Sequence, residues 1–519
     1  MFLIATVQAS VLDDIGVTVL RAVTTNADGS GIRVAQPEAG LDTNNPPMIW
    51  QVNPAAVGQP TNLFTYISVN GSSSNYPNFL GSESGHADSV ADNFYGIPGG
   101  VATNVAHVDN YDANEFVQVS ESVTPISTNY TVSLPAANIN DPVVSQSFTF
   151  GSVPVNEQQA IDLAYDNYAA QFNTLFISAA NNGGPVSPPG TAYNCISVGA
   201  YGGGSSFGPT IDNGRAKPDI TAPAGETSFS TPFVAGAAAV LMQAALRGDG
   251  GDDTNSAFAI QTIKALLLNG AIKPADWTNN SPSPLDTRYG AGVLNVFNSY
   301  EQLAGGKHGY IVSNSVITNS PHLPTGAAGT VGALSGWDFN TNSSSATTDG
   351  VNHYYFNVTN NLNGAKFTVT ATLVWNRHRN KTGINNLDLF LYDAVSSNLV
   401  ACSTSLVDNV EHIFVPQLPQ GRYDLQVLKK GGTTVTASEP YALAWEFFST
   451  PLSVAQAGTN TALSWPVYPA GFVVETAMNL ISSAIWSTNN IPSPVVTNDQ
   501  NFILLNATNA NQFFRLRRP

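Results

Sequence analysis

Two short stretches of this chain carry side chains that could do chemistry. In GETSFSTPFVAGAAAVLMQAA, residues 225–245, Ser228 stands at the mouth of an apolar helix, with Pro232 four residues on. A helix N-terminus favours developing negative charge, which suits a nucleophilic hydroxyl. An ordinary N-cap serine would also place a Ser there. The proline is expected within the first helical turn, where N–H groups have no intrahelical acceptor and none is missed. Small residues from Ala235 to Ala239 then allow close packing. In GIRVAQPEAG, residues 31–40, an apolar strand runs into a Gly turn, and its last charged group is Glu38. A carboxylate at the end of a buried strand is costly unless it has a partner or a task. Taken alone, that stretch favours a salt-bridged or hydrogen-bonded structural glutamate over a working acid.

The string TSFSTPFVAG resembles the serine-nucleophile motif of the subtilisin-like serine peptidases, the subtilase family, with Ser228 as the nucleophile. Glu226 departs from the motif where the family has Gly, and Phe233 where His is common. The resemblance extends over roughly residues 15–305. GHADSVADNFYGIPGGVATNVAHVDNYDA, residues 85–113, is similar to the family's histidine motif and implies His86 as the base, with Ala87 and Ser89 replacing Gly and His. His107 is a rival that falls mid-strand, and the other five histidines lie beyond the α/β region. LFISAANNGGP, residues 175–185, resembles the oxyanion motif; Ala180 takes the Gly position and Asn181 the donor's, with Asn182 an alternative one residue away. GSGIRVAQPEAG places Glu38 where the family has its Asp. Glu38 can hold the histidine tautomer and stabilise the imidazolium, although its extra methylene requires the backbone to sit back by about 1 Å. Asp42 is the alternative acid, and an impaired site the third reading. SQSFTFG, residues 145–151, corresponds to the substrate-pairing strand, which implies Ser147, Phe148 and Thr149 as substrate-binding residues. FGPTIDNGRAKPDITAPAG and RYGAGVLNVFNSY resemble the segments that lead to the nucleophile and close the domain.

The resemblance implies a serine endopeptidase acting through an acyl-enzyme on a protein or peptide substrate. Two other readings stay open: a catalytically impaired binding protein on the same scaffold, or a sedolisin-like acid peptidase, at which Glu38 hints.

The elements that must position these groups follow from pattern. IRVAQP (32–37), VAHVDNY (105–111), VVSQSFTF (143–150), LFISAAN (175–181) and CISVGAY (195–201) read as buried strands bounded by Gly, Pro and Asn. Helices are expected over 156–172, with Ile161, Ala164, Tyr165, Tyr168 and Phe172 on one face, and over 228–246 and 257–268. Strands alternating with helices predict a mostly parallel sheet covered on both faces, an α/β fold spanning 1–305. After GGKHG, a candidate linker, helical periodicity stops. FTVTATLVW, LDLFLYD, HIFVPQL and YDLQVL predict an antiparallel sandwich or jelly roll over 306–450, and a small β module follows over 451–519. Asp388, Asp393, Asp408 and Glu411 are candidates for a structural Ca²⁺; no other cofactor is implied.

Composition narrows the partners. With 19 Lys and Arg against 36 Asp and Glu, the formal net charge is −17, which argues against nucleic acid or an anionic membrane. Cys195 and Cys402 fall in different predicted domains, so a disulfide is not expected. No run reaches the ~18 apolar residues of a membrane span. The opening MFLIATVQAS lacks a basic n-region and makes a poor signal peptide. The resemblance nevertheless implies a secreted or periplasmic enzyme, so a truncated or mature fragment is expected, acting as a monomer.

Overall fold

A computed structural model describes the chain except residues 1–9, 41–47, 125–126, 319–325, 327, 360–365, 433–434, 450–451, 468–470, 480–484, 490, 498–499, 507–511 and 518–519. The opening residues 1–9, the alternative acid Asp42 and His322 lie outside the described residues.

Eight strands form one sheet: β1 (Arg33–Glu38), β2 (Phe64–Ser68), β3 (Gly71–Ser73), β4 (His107–Asp112), β5 (Val143–Gln146), β6 (Leu175–Ala179), β7 (Ile196–Tyr201) and β8 (Ile220–Pro223). Their order is β8-β7-β6-β5-β1-β4-β2-β3. Every neighbouring pair is parallel except β2 with the edge strand β3. Successive residues of β5 and β6 are buried, so both faces of the sheet are covered, as their uninterrupted apolar runs predict. The strand expected over 143–150 stops at Gln146, and Ser147–Phe150 leave the sheet.

Three helices matter for the site. α1 (Gly85–Phe94) is capped by the Ser84 hydroxyl. α2 (Val155–Phe172) lays Tyr165 and Tyr168 on Phe176 of β6, ring centroids 4.8 and 5.7 Å apart. α3 (Thr227–Arg247) is buried along most of its length, which explains its apolar composition. Gly236 sets its distance from α1: a Cβ there would lie 2.5 Å from Val101 Cβ and 3.2 Å from the Phe94 carbonyl. The helix expected over 257–268 is two, Thr254–Phe258 and α4 (Ile260–Asn269), because Ala259 between them is extended.

The KPD segment has a structural task. Asp219 lies between Lys217 (2.6 Å) and Lys264 (3.1 Å), all three buried, and accepts from the Ser197 amide. Gly290 of the RYGAG stretch passes so close that a Cβ would lie 2.3 Å from the Asp219 carbonyl.

Beyond Gly305 two antiparallel sheets follow. The strands are β9 (Val312–Ile317), β10 (Ser335–Ser343), β11 (Thr348–Val358), β12 (Phe367–Trp375), β13 (Leu387–Asp393), β14 (Leu399–Ser403), β15 (Val410–Leu418), β16 (Gly421–Lys429) and β17 (Ser438–Phe448). They form a five-stranded sheet, β9-β11-β16-β13-β14, and a four-stranded one, β10-β17-β12-β15. Val369, Ala371, Leu373 and Trp375 of β12 join Leu389, Leu391 and Leu425 of the other sheet in one apolar layer. The alternate residues of β12 meet the α/β unit instead: the Thr370 and Thr372 hydroxyls donate to Asn269 Oδ1 of α4, and Val374 joins the main core. GGKHG is folded into this junction, with the His308 amide on the Trp337 carbonyl. A last small β unit includes Asn460–Pro466, Val473–Ala477, Gln500–Asn506 and Phe513–Arg517.

Candidate active site

β1 delivers Glu38 at its C-terminal end, 2 % exposed. Its ladder with β5 ends at Ala35, so Pro37, which has no N–H to give, lies beyond that ladder. One carboxylate oxygen of Glu38 faces His86 Nδ1 at 2.9 Å, and the other accepts from Gln36 Nε2, also at 2.9 Å. Gln36 is itself held by the Tyr95 hydroxyl and the Ala87 carbonyl. The buried carboxylate therefore has a partner for each oxygen, as its burial demands. Neither Gln36 nor Tyr95 belongs to a recognised motif; the available signal was a polar residue two positions before Glu38, on the same face of an apolar strand.

His86 lies in the first turn of α1 and is about a third exposed. Its ring packs beside Phe229, centroids 5.7 Å apart, and Asn93 of α1 donates to the Phe229 carbonyl. The imidazole is thereby held against the start of α3. Its pKa is raised above the usual imidazole value, first by the hydrogen bond to Glu38, then by the charges of Glu38 and Glu226, with burial opposing. Among the described residues Nε2 has no hydrogen-bond partner.

Ser228 is the second residue of α3, so its N–H has no intrahelical acceptor. Counted from the observed helix start, Pro232 lies beyond the first turn, contrary to the expectation from sequence. Its missing N–H is the one that would reach the Ser228 carbonyl. The Ser147 hydroxyl fills that place, donating to the Ser228 carbonyl at 2.7 Å. In return Ser228 Oγ donates to the Ser147 carbonyl at 3.3 Å. No hydrogen bond joins Ser228 to His86 among the described residues. The expected substrate-binding residues Ser147, Phe148 and Thr149 thus run alongside the serine, directly after β5. Phe150 is tied through its amide to the Pro188 carbonyl, and its ring lies 6.3 Å from that of Phe148.

At the oxyanion motif the two adjacent asparagines differ in backbone and in partners. Asn181 has φ 96°, the left-handed backbone that favours Gly, and its Nδ2 is engaged within its own loop by Gly183 O and Ser187 Oγ. Asn181 thus has the backbone a glycine would adopt, and its side-chain amide is engaged within its own loop. Asn182 reaches the site instead: its Oδ1 accepts from the Thr227 amide and hydroxyl at 2.8 and 2.7 Å, which turns Nδ2 towards Glu226, 3.4 Å away. Glu226 is the N-cap residue of α3 without a side-chain capping bond, and it is exposed.

The remaining candidates are engaged elsewhere. His107 bonds Thr65 Oγ1 and Asp109 at the start of β4. The four proposed calcium ligands do not converge. Asp388 pairs with Lys430, Asp393 accepts two turn amides, Asp408 accepts from Ala216 N and Ser405 Oγ, and Glu411 from Ser403 Oγ and Ser405 N. No group of three or more His, Cys, Asp or Glu with metal-holding geometry occurs among the described residues. Both cysteines are free.

Residues 66–292 match the family model described as the subtilase family, Peptidase_S8. Among solved structures the chain is similar to a prenylagaramide maturation protease, with 20% identity, 56% of this chain and 99% of that one covered, and a TM-score of 0.35. It is also similar to proteases from Pseudoalteromonas arctica PAMC 21717, with 18% identity, 58% and 96% covered, and a TM-score of 0.34. A PatG macrocyclase in complex with peptide is similar at 13% identity, 57% and 99% covered, with a TM-score of 0.35. The match to the subtilase family model spans the stretch that holds His86, Asn182 and Ser228.

Proposed function

We propose that the chain is a serine endopeptidase with a Ser228–His86–Glu38 triad. The observation that carries this reading is the Glu38 carboxylate on Nδ1 of an imidazole whose other nitrogen is unpartnered beside the nucleophile helix. In this reading His86 Nε2 takes the Ser228 proton as the serine attacks a peptide carbonyl. Glu38 holds the Nδ1–H tautomer and stabilises the imidazolium. The tetrahedral oxyanion is received by the Ser228 N–H and, in place of Asn181, by Asn182 Nδ2. His86 then protonates the leaving amine, and water activated by the same nitrogen hydrolyses the acyl-enzyme. The segment 147–149 presents backbone beside the serine for an extended substrate, the usual mode of strand addition.

A second reading, a binding protein on an impaired site, is favoured by one observation: Ser228 Oγ bonds the Ser147 carbonyl and not His86. Catalytic hydrogen bonds commonly tighten only with substrate present, so the two readings diverge on reactivity. Labelling with a fluorophosphonate at about pH 8 decides between them. Wild type labels and Ser228→Ala does not under the peptidase reading; a folded wild type that stays unlabelled supports the binding protein.

A further inference from the structure

A second site lies away from the triad, where the α/β unit, the four-stranded sheet and the terminal β unit meet. A cavity of about 460 Å³ opens there, within the range of small-ligand sites and at the kind of junction they favour. Its charge is the reverse of the protein's: the chain carries −17 overall, yet Lys273, Lys366, Arg515 and Arg517 line this cavity and no Asp or Glu does. Lys273 is buried, with Nζ 5.2 Å from the Trp277 ring centroid and 5.6 Å from that of Phe414. Arg515 and Arg517 both pair with Glu475, at 2.6 and 2.9 Å, which does not itself line the cavity. Lys366 is exposed, and no carboxylate pairs with it among the described residues. Converging cations with aromatic walls suit an oxyanion carried on a body with an apolar or ring face.

The size and type of ligand follow from the walls. The edge strand β15 reaches the cavity through Phe414, Pro416 and Gln417. Pro416 has no N–H, Gln417 has φ 79°, and the ladder with β12 shifts register at Phe367/Thr368. An edge blunted in this way gives an acidic peptide no ladder to extend. A long polyanion would be repelled by the rest of the surface, whereas a small anion within the cavity feels mainly the local cations, the remainder being screened over a Debye length of about 8 Å. Thr368 and Gln417 add polar groups for hydroxyls. We propose that this cavity binds an acidic sugar, a polyhydroxylated ring bearing a carboxylate, free or at the end of a glycan. The proposal is independent of the peptidase reading.

Calorimetry on the full chain at low salt tests it, with D-glucuronate, D-glucose, sodium sulfate and a short poly-glutamate peptide as probes. Glucuronate is expected to bind with Kd of ~1 mM or tighter, and glucose and sulfate each at least about tenfold more weakly. Glucuronate affinity should fall in 0.5 M NaCl, and by about tenfold in Lys366→Glu. Lys366 is exposed, so that variant should keep the wild-type melting temperature. A neutral oligosaccharide ending in a single glucuronate, binding as well as the monomer, identifies a glycan end as an admissible source. Absence of glucuronate binding, equal binding of glucose or sulfate, tighter binding of poly-glutamate, or an unchanged Kd in Lys366→Glu would each overturn the proposal.

Discussion

Two acid–imidazole pairs in this chain share nearly the same geometry. Glu38 faces His86 Nδ1 at 2.9 Å, and Asp424 faces His353 Nδ1 at 2.8 Å. They differ in what the other nitrogen meets. His353 is 1 % exposed and its Nε2 bonds Asn314 Oδ1 at 3.0 Å, on the five-stranded sheet. His86 is 30 % exposed and leaves Nε2 open beside the start of a buried helix. A carboxylate on an imidazole is thus insufficient as a mark of catalysis: the pair at β11 and β16 closes a buried network, and the pair at β1 and α1 leaves its second nitrogen open beside the start of α3.

The sharpest way to break this comparison is to neutralise both acids. Glu38→Gln should lower kcat/KM on a peptide substrate by ~10⁴, the effect of losing the tautomer-holding acid in a serine triad. Asp424→Asn should leave kcat/KM unchanged within about twofold; equal losses in both variants would show that the two pairs do not differ in role. Next in size is the oxyanion donor. Asn182→Ala should cost ~10²–10³ in kcat, the range measured for such a donor in a subtilisin. Asn181→Gly, which suits the left-handed backbone, should stay near wild type, and the reverse order would return the assignment to Asn181.

Stability separates the pairs in the opposite sense. Asp424→Asn should reduce the unfolding free energy by ~1–3 kcal/mol in urea titrations, because it leaves the buried His353 Nδ1–H with a poorer acceptor. Glu226→Gln is the smallest change. Removing that negative charge lowers the raised pKa of His86, so the acid limb of the kcat/KM profile should move to lower pH. A limb that stays in place would remove Glu226 from the electrostatics of the base. The same shift links to folding: the raised pKa of His86 contributes stability that is full below the ordinary imidazole value of about 6.5 and is lost as pH rises through the folded value. The neutral imidazole that the mechanism needs is therefore the less stabilised form.

Much of this was legible from pattern. Strands at 367–375 and 387–393 fall where alternation and apolar runs place them, and α2 and α3 begin and end within a residue or so of their expected bounds. The errors share one cause, which is that a position in a motif does not specify a backbone dihedral or a partner from another element. Asn181 and Asn182 are the same residue type in adjacent positions, and only the φ of 96° at Asn181 and the partners of each side chain tell them apart. Pro232 was expected to cost nothing, and the tertiary structure shows Ser147 supplying the donor it lacks. GGKHG was expected as a linker and is packed into the junction, because β12 has two buried faces and the second one covers α4.

By itself the sequence determined the element types, their α/β-then-β order, and the residues able to act as nucleophile, base and acid. Those properties reside in local periodicity and side-chain chemistry. Tertiary structure alone decided that Glu38 meets His86, that Asn182 is the asparagine bonded to the start of α3, why His353 is structural, and that four cations from three separate stretches line one cavity in an acidic protein. Each of these depends on distances between segments far apart in the chain, set by helix packing at Gly236 and by sheet register, which no local pattern encodes.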